Sequence, residues 1–194
     1  MRRILAAQMM ILLLLLTACA GKGEETTFEA LRETVQASEV TAAATVTVLG
    51  TDTAGTFTYD YTETQDGCEM TVTAPALLSG VKARIAAGET TLEYDGVILP
   101  APLNENRRAP LTAMAQMLNA LRNGHPDLIW REGDRIVVQL IPDDGEAVRL
   151  YLNADGTPAA AELIFDDAAA LRCELLSWNT KRGTVDESND PNLG

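Results

Sequence analysis

The chain has 194 residues, with 28 Asp and Glu against 15 Lys and Arg, a formal charge of −13 at pH 7. So acidic a chain does not embrace nucleic acid, whose affinity comes from Lys and Arg neutralising phosphates. It also repels anionic lipid head groups, so any membrane contact falls to an apolar anchor.

The first segment is the most explicit. Arg2 and Arg3 form a positive start, Ile4 to Leu16 form an apolar run broken by Gln8, and small residues then precede Cys19. This is the layout of a secretory signal peptide. A spanning helix needs ~20 apolar residues, and this run is short for that. Leu16-Thr17-Ala18-Cys19 resembles the lipobox of bacterial lipoprotein signals. The resemblance implies cleavage after Ala18 and acylation of Cys19, which tethers the mature chain to a membrane. Two acyl chains anchor stably where one is marginal. Residue 20 is Ala, not Asp. By the sorting rule of such lipoproteins, a two-membrane cell would pass the protein to its outer membrane. In a one-membrane cell it would stay on the extracytoplasmic face. The expected organisation is a signal peptide over 1–18, a tether over 19–25, one folded domain over 26–180 and a disordered tail over 181–194.

Thr26 to Glu29 reads as a capping box, and Phe28, Leu31 and Val35 follow at helical spacing. They predict a helix from about Phe28 to Ala37. From Glu39 the period changes to two. Val46 and Val48 mark one strand, Phe57, Tyr59 and Tyr61 the next, and Cys68, Met70 and Val72 a third ended by Pro75. Gly80 leads into Val81, Ala83 and Ile85, and Thr91 to Tyr94 follow. Alternation of this kind predicts antiparallel sheet with one face buried. Leu99 to Pro102 and Asn104 to Arg108 read as irregular.

Pro110 sits at a helix start, and Leu111, Met114, Ala115, Leu118 and Leu121 repeat at helical spacing, with Met117 widening the stripe. Asn123-Gly124 closes this helix. Strands resume at Leu128 to Trp130, Arg135 to Ile141, Val148 to Leu152, Ala161 to Phe165 and Leu171 to Leu175. Asp-Gly pairs at 66–67, 95–96, 144–145 and 155–156 are hairpin signals. The fold class is therefore α+β: a curved antiparallel meander, or half-barrel, with helices packed on its concave face.

Three segments resemble the LolA/LolB-like lipoprotein carrier superfamily. They are Ala42 to Val48 after a short helix, Ala74-Pro75 leading through Gly80–Ile85 to Thr91–Gly96, and the closing hairpin of Pro158–Phe165 with Leu171–Trp178. The likeness spans about residues 28–178. It implies an incomplete barrel plugged by helices, whose concave face holds acyl chains. The candidate cavity residues are Met70, Val72, Ile85, Met114, Met117, Leu118, Leu121, Leu150 and Leu163. Methionines adapt to variable apolar shapes, which suits such a site, and they equally serve as plain core. The soluble carriers of the family are unanchored, whereas Cys19 implies a fixed, receptor-like or accessory role. The leading expectation is a non-enzymatic, anchored lipoprotein that binds a lipid or lipoprotein acyl chain. The alternative is an envelope interaction module with a filled core and a protein partner.

No catalytic constellation, metal site or cofactor motif is present in the sequence. His125 is the single histidine and reads as a loop residue, which makes zinc improbable. Serines 38, 79, 177 and 188 lack a nucleophile-elbow setting. Asp143-Asp144 and Asp166-Asp167 fall at expected turns, where aspartate serves the backbone. Cys68 and Cys173 fall in phase with apolar neighbours. They read as buried thiols in preference to a disulfide.

Overall fold

The computed structural model describes residues 22–50, 55–64, 66–101, 108–143 and 146–182. Cys19, the expected signal peptide, Asp144-Gly145 and residues 183–194 lie outside the described residues.

Helix α1 spans Lys22–Gln36. It begins six residues before Phe28, so Thr26 is not its cap, and residues 22–25 of the expected tether are helical. The Thr27 hydroxyl instead donates to the Gly23 carbonyl at 2.8 Å, within the first turns. Six strands follow: β1 (Ser38–Val48), β2 (Thr56–Thr64), β3 (Gly67–Ala74), β4 (Lys82–Ala86), β5 (Glu89–Tyr94) and β6 (Val97–Pro100). A 3-10 turn at Pro110–Thr112 leads into α2, Ala113–Asn123. Five more strands complete the domain: β7 (His125–Glu132), β8 (Arg135–Ile141), β9 (Val148–Leu152), β10 (Pro158–Phe165) and β11 (Ala168–Arg182).

The strands form one 11-stranded antiparallel sheet in the order β6-β5-β4-β3-β2-β1-β11-β10-β9-β8-β7. Each half is a meander, and the halves join where β1 pairs with β11, Val46 facing Cys173. The sheet is curved and unclosed, with β6 and β7 at its edges. Register shifts within β1–β11, β2–β3, β7–β8, β9–β10 and β10–β11 contribute to the bend, because a bulge adds twist on one strand only.

Alternation decides which face is core. In β1 the buried residues are Val40, Ala42, Ala44 and Val46, and in β3 they are Cys68, Met70 and Val72. The two helices cover this concave face, with α2 against β8 to β11 and α1 against β1, β7 and α2. Two short hairpins show how the turns are set. Asp95-Gly96 (φ 51° and 76°) and Asp166-Asp167 (φ 50° and 63°) are both left-handed, the form that matches strand twist in two-residue hairpins.

Three expectations change. Leu99 and Pro100 are not irregular but belong to a strand, Val97–Pro100. Its Pro100 is tolerated because an edge strand needs no donor on its open side. His125 opens β7 instead of lying in a loop. Lys181 and Arg182 pair with Glu39 and Ser38, so β11 runs into the expected tail.

Candidate functional site

The apolar stripe of α2 is seated fully in the core. Met114, Met117 and Leu121 are 0% exposed, and Leu118 is 1%. Met70, Leu150 and Leu163 belong to the same contiguous cluster, and Ile85 packs against its margin. Val72 is buried but lies outside that cluster. The structure thus brings eight of the nine candidate cavity residues together under and around α2. Seven of the nine are at 0 or 1% exposure.

Position of α2 is fixed by polar contacts at its last turn. Arg122 donates from Nε and Nη2 to the Val35 carbonyl (3.2 and 3.1 Å) and from Nη2 to the Ser38 carbonyl (3.2 Å). The same guanidinium forms a two-pronged ion pair with the Glu63 carboxylate of β2 (2.5 and 2.7 Å). Hydrogen bonding to Glu63 holds the Arg122 pKa above its ordinary value. Arg32 of α1 reaches the opposite way, to the carbonyls of Leu121 and Gly124. The sequence reading missed this network. Its one signal is an arginine in the last turn of a helix with no other charge, with a lone glutamate in a threonine-rich strand.

Both core cysteines are free and buried. The Cys173 thiol donates to the Met114 sulfur at 3.6 Å. Burial pushes its pKa up to about 12, and burial raises Cys68 as well. Neither is poised as a nucleophile, which requires a thiolate. Among the described residues, no group of three or more His, Cys, Asp or Glu could hold a metal ion. Asp166 and Asp167 occupy their hairpin turn, where Asp166 pairs with Arg108. His125 is exposed on the β7 edge.

The outer surface is uneven. Of the eight exposed large hydrophobics among the described residues, Leu128 and Leu176 stand apart, while Leu77, Leu78, Tyr94, Val97, Ile98 and Leu99 belong to one corner. Lys82 pairs with Glu93, which places the Ala76–Leu78 turn and the Asp95-Gly96 turn at the same end of the sheet. Cross-strand pairs Leu92–Leu99 and Tyr94–Val97 lie on one face, and Leu92 packs against the core. Tyr94, Val97 and Leu99 therefore continue the concave face uncovered, while Ile98, opposite Glu93, stands on the other side of the same edge. Monomeric proteins rarely leave such patches bare unless something docks there.

These features define an open, helix-plugged antiparallel half-barrel whose expected lining side chains are buried around α2, with a bare apolar corner among the described residues. No family model matches the chain, and no curated protein matches it. Solved structures do match. A LolA superfamily protein from Nitrosomonas europaea is 12% identical, with 81% of this chain and 93% of that one covered, at a TM-score of 0.47. The MucA/MucB complex of Pseudomonas aeruginosa includes a chain 13% identical, with 86% of this chain and 60% of that one covered, at a TM-score of 0.43. At these values no role passes from either protein to this chain.

Proposed function

We propose that the chain is an exported lipoprotein, tethered through acylated Cys19, that works as a non-enzymatic docking module for another envelope protein. The packing under α2 carries this reading: Met114, Met117, Leu118 and Leu121 are at most 1% exposed, so the concave face is spent on core. Carriage of an acyl chain would need that interior to be open. Docking needs only a surface, and the corner formed by Leu77, Leu78, Tyr94, Val97, Ile98 and Leu99 supplies one. Desolvation of those side chains contributes about 25 cal/mol per Å² of apolar area covered. The signal-like run with its cysteine supports the tether, and no helix among the described residues is long and apolar enough to cross a membrane.

The experiment is a pair of measurements on the full chain purified from its native membrane. Site-specific cross-linking from Leu77 and Ile98 in intact cells is expected to capture one discrete protein. Native mass spectrometry is expected to show the three-part lipid on Cys19 or its diacyl form and no further lipid. A stoichiometric second lipid, with no cross-linked protein, would return the chain to the carrier class.

A further inference from the structure

An open groove of about 750 Å³ runs between α1, the start of β10 and the C-terminal part of β11. It is remote from the apolar corner, and its chemistry is different. Leu31 and Trp178 line it, and both pack against the hydrophobic core, so the indole is held on a fixed base. Trp178 is in register with Ala42 of β1, on the core-facing side. One wall is α1, where Thr26, Ala30 and Thr34 follow at intervals of four and present only short side chains. The other wall is polar, built from the Asp155 turn and from Thr180 of β11, while Asn179, opposite Thr41, turns its side chain to the other face of the sheet.

Asp155 is already oriented. Its Oδ1 accepts from the Thr157 backbone N–H at 3.0 Å and from the Thr157 hydroxyl at 2.6 Å. Asn153 donates to the same Thr157 hydroxyl at 3.0 Å, which braces the turn. These contacts use one carboxylate oxygen and leave the second for a ligand. Thr180 is exposed, and no hydrogen bond to its side chain occurs among the described residues. The groove thus offers an aromatic platform, a carboxylate acceptor and a hydroxyl. Its volume lies within the range of small-ligand sites.

We infer that this groove binds a neutral saccharide chain. A pyranose ring has an apolar C–H face that stacks on an indole, and a rim of hydroxyls that donate and accept in its plane. The groove pairs those two requirements on adjacent walls. It contains no Lys or Arg, so an anionic ligand finds no counter-charge there. Its open form suits a polymer passing through, where an enclosed pocket would take only a free sugar. The site lies outside the core and outside the corner, so it stands whether or not the docking reading does.

The test uses the full chain in detergent, carrying Trp130→Phe so that Trp178 alone reports. Tetramers of β-1,4-linked N-acetylglucosamine, β-1,4-linked glucose and α-1,4-linked glucose serve as probes. At least one is expected to shift Trp178 fluorescence saturably, with a Kd on the order of 1 mM or tighter. Thr180→Ala is a surface change that leaves the melting temperature in place, and Asn179→Ala, on the opposite face, is its control. Thr180→Ala is expected to weaken binding about three- to tenfold, and Asn179→Ala to leave it unchanged. No saturable change with any tetramer at about 20 mM would overturn the inference. So would binding that survives unchanged in Thr180→Ala.

Discussion

Arg32 and Arg122 cap each other's helix. Arg32 of α1 donates to the Leu121 carbonyl of α2 at 3.1 Å and to Gly124 just beyond it, while Arg122 of α2 donates to Val35 of α1 and to Ser38 just after it. A helix C-terminus leaves four carbonyls without partners and carries partial negative charge, so a guanidinium there satisfies both demands. Because the donation is reciprocal, neither helix end is completed without the other. The Glu63 carboxylate then ties the pair to β2.

Arg122→Ala is expected to destabilise the domain by about 2–3 kcal/mol. The Arg122 and Glu63 side chains are only 24% and 16% exposed, so removing one leaves the other poorly solvated. Arg122→Lys is expected to recover less than half, because an ammonium cannot span Glu63 and two carbonyls as a planar fork does. Glu63→Gln keeps an acceptor and is expected to cost about 1 kcal/mol. Thermal or urea unfolding of the three variants checks the order.

The sheet was largely legible in the residues, and the polar lock was not. Period-two alternation in Phe57–Tyr61 and Cys68–Val72 reports one-sided burial directly, and Asp95-Gly96 reports its hairpin. The stripe of α2 likewise announces a buried face. Val97–Pro100 escaped because alternation requires one face in water and one in protein, and this strand has both faces exposed. The β1–β11 pairing escaped because nothing local encodes a contact between residues more than a hundred positions apart. Arg122 looks like an ordinary cation near a helix end until Val35, Ser38 and Glu63 arrive from two other elements. The candidate cavity residues were grouped correctly by phase, since Met70, Met114 and Leu163 share one cluster. Phase reports a common face, however, and says nothing of whether the space between is filled.

Alkali is expected to unfold the domain through Cys173. Its native pKa stands at about 12, raised by burial from an ordinary 9.0. Between those values the unfolded chain releases the thiol proton while the native chain keeps it. Stability is therefore fully present below pH 9 and falls by about 1.4 kcal/mol per pH unit per such thiol above it. Cys68 and Tyr59, both raised by burial, add the same sign of slope. Cys173→Ala is expected to flatten the fall measured between pH 9 and 10 by denaturant titration. At pH 8 the native thiols are expected to resist a disulfide reagent that labels both in denaturant.

Gly67→Ala is expected to be among the most damaging single-atom additions in the sheet. Gly67 opens β3 with φ +151°, and a Cβ there would stand 1.9 Å from the Ile85 carbonyl oxygen. That contact is backbone to side chain, so no rotamer relieves it, and β3 must separate from β4 locally. A loss of roughly 2–4 kcal/mol is expected, seen as a lowered unfolding midpoint. Gly88→Ala is the control, since a Cβ there meets nothing within 4 Å and the change carries only the strain of its positive φ.

The bare corner separates surface function from stability. Leu77 is 86% exposed and Ile98 is 63% exposed, so little native packing is lost when either becomes polar. Leu77→Ser and Ile98→Lys are each expected to shift stability by no more than about 0.5 kcal/mol. Under the docking reading they remove the apolar contact a partner would cover, and a lysine on an edge strand also opposes strand addition. The double variant is accordingly expected to keep its unfolding midpoint, to lose binding of an apolar fluorescent dye, and to lose the cross-linked product from intact cells. Met117→Ala supplies the opposite pattern. It removes a side chain that is 0% exposed, so a loss of about 2–5 kcal/mol is expected from transfer and cavity effects together. Met117→Leu, close in volume, is expected to cost under about 1.5 kcal/mol. A corner variant that unfolds the domain, or a Met117→Ala protein as stable as the parent, would reverse the assignment of core and surface on which the docking reading stands.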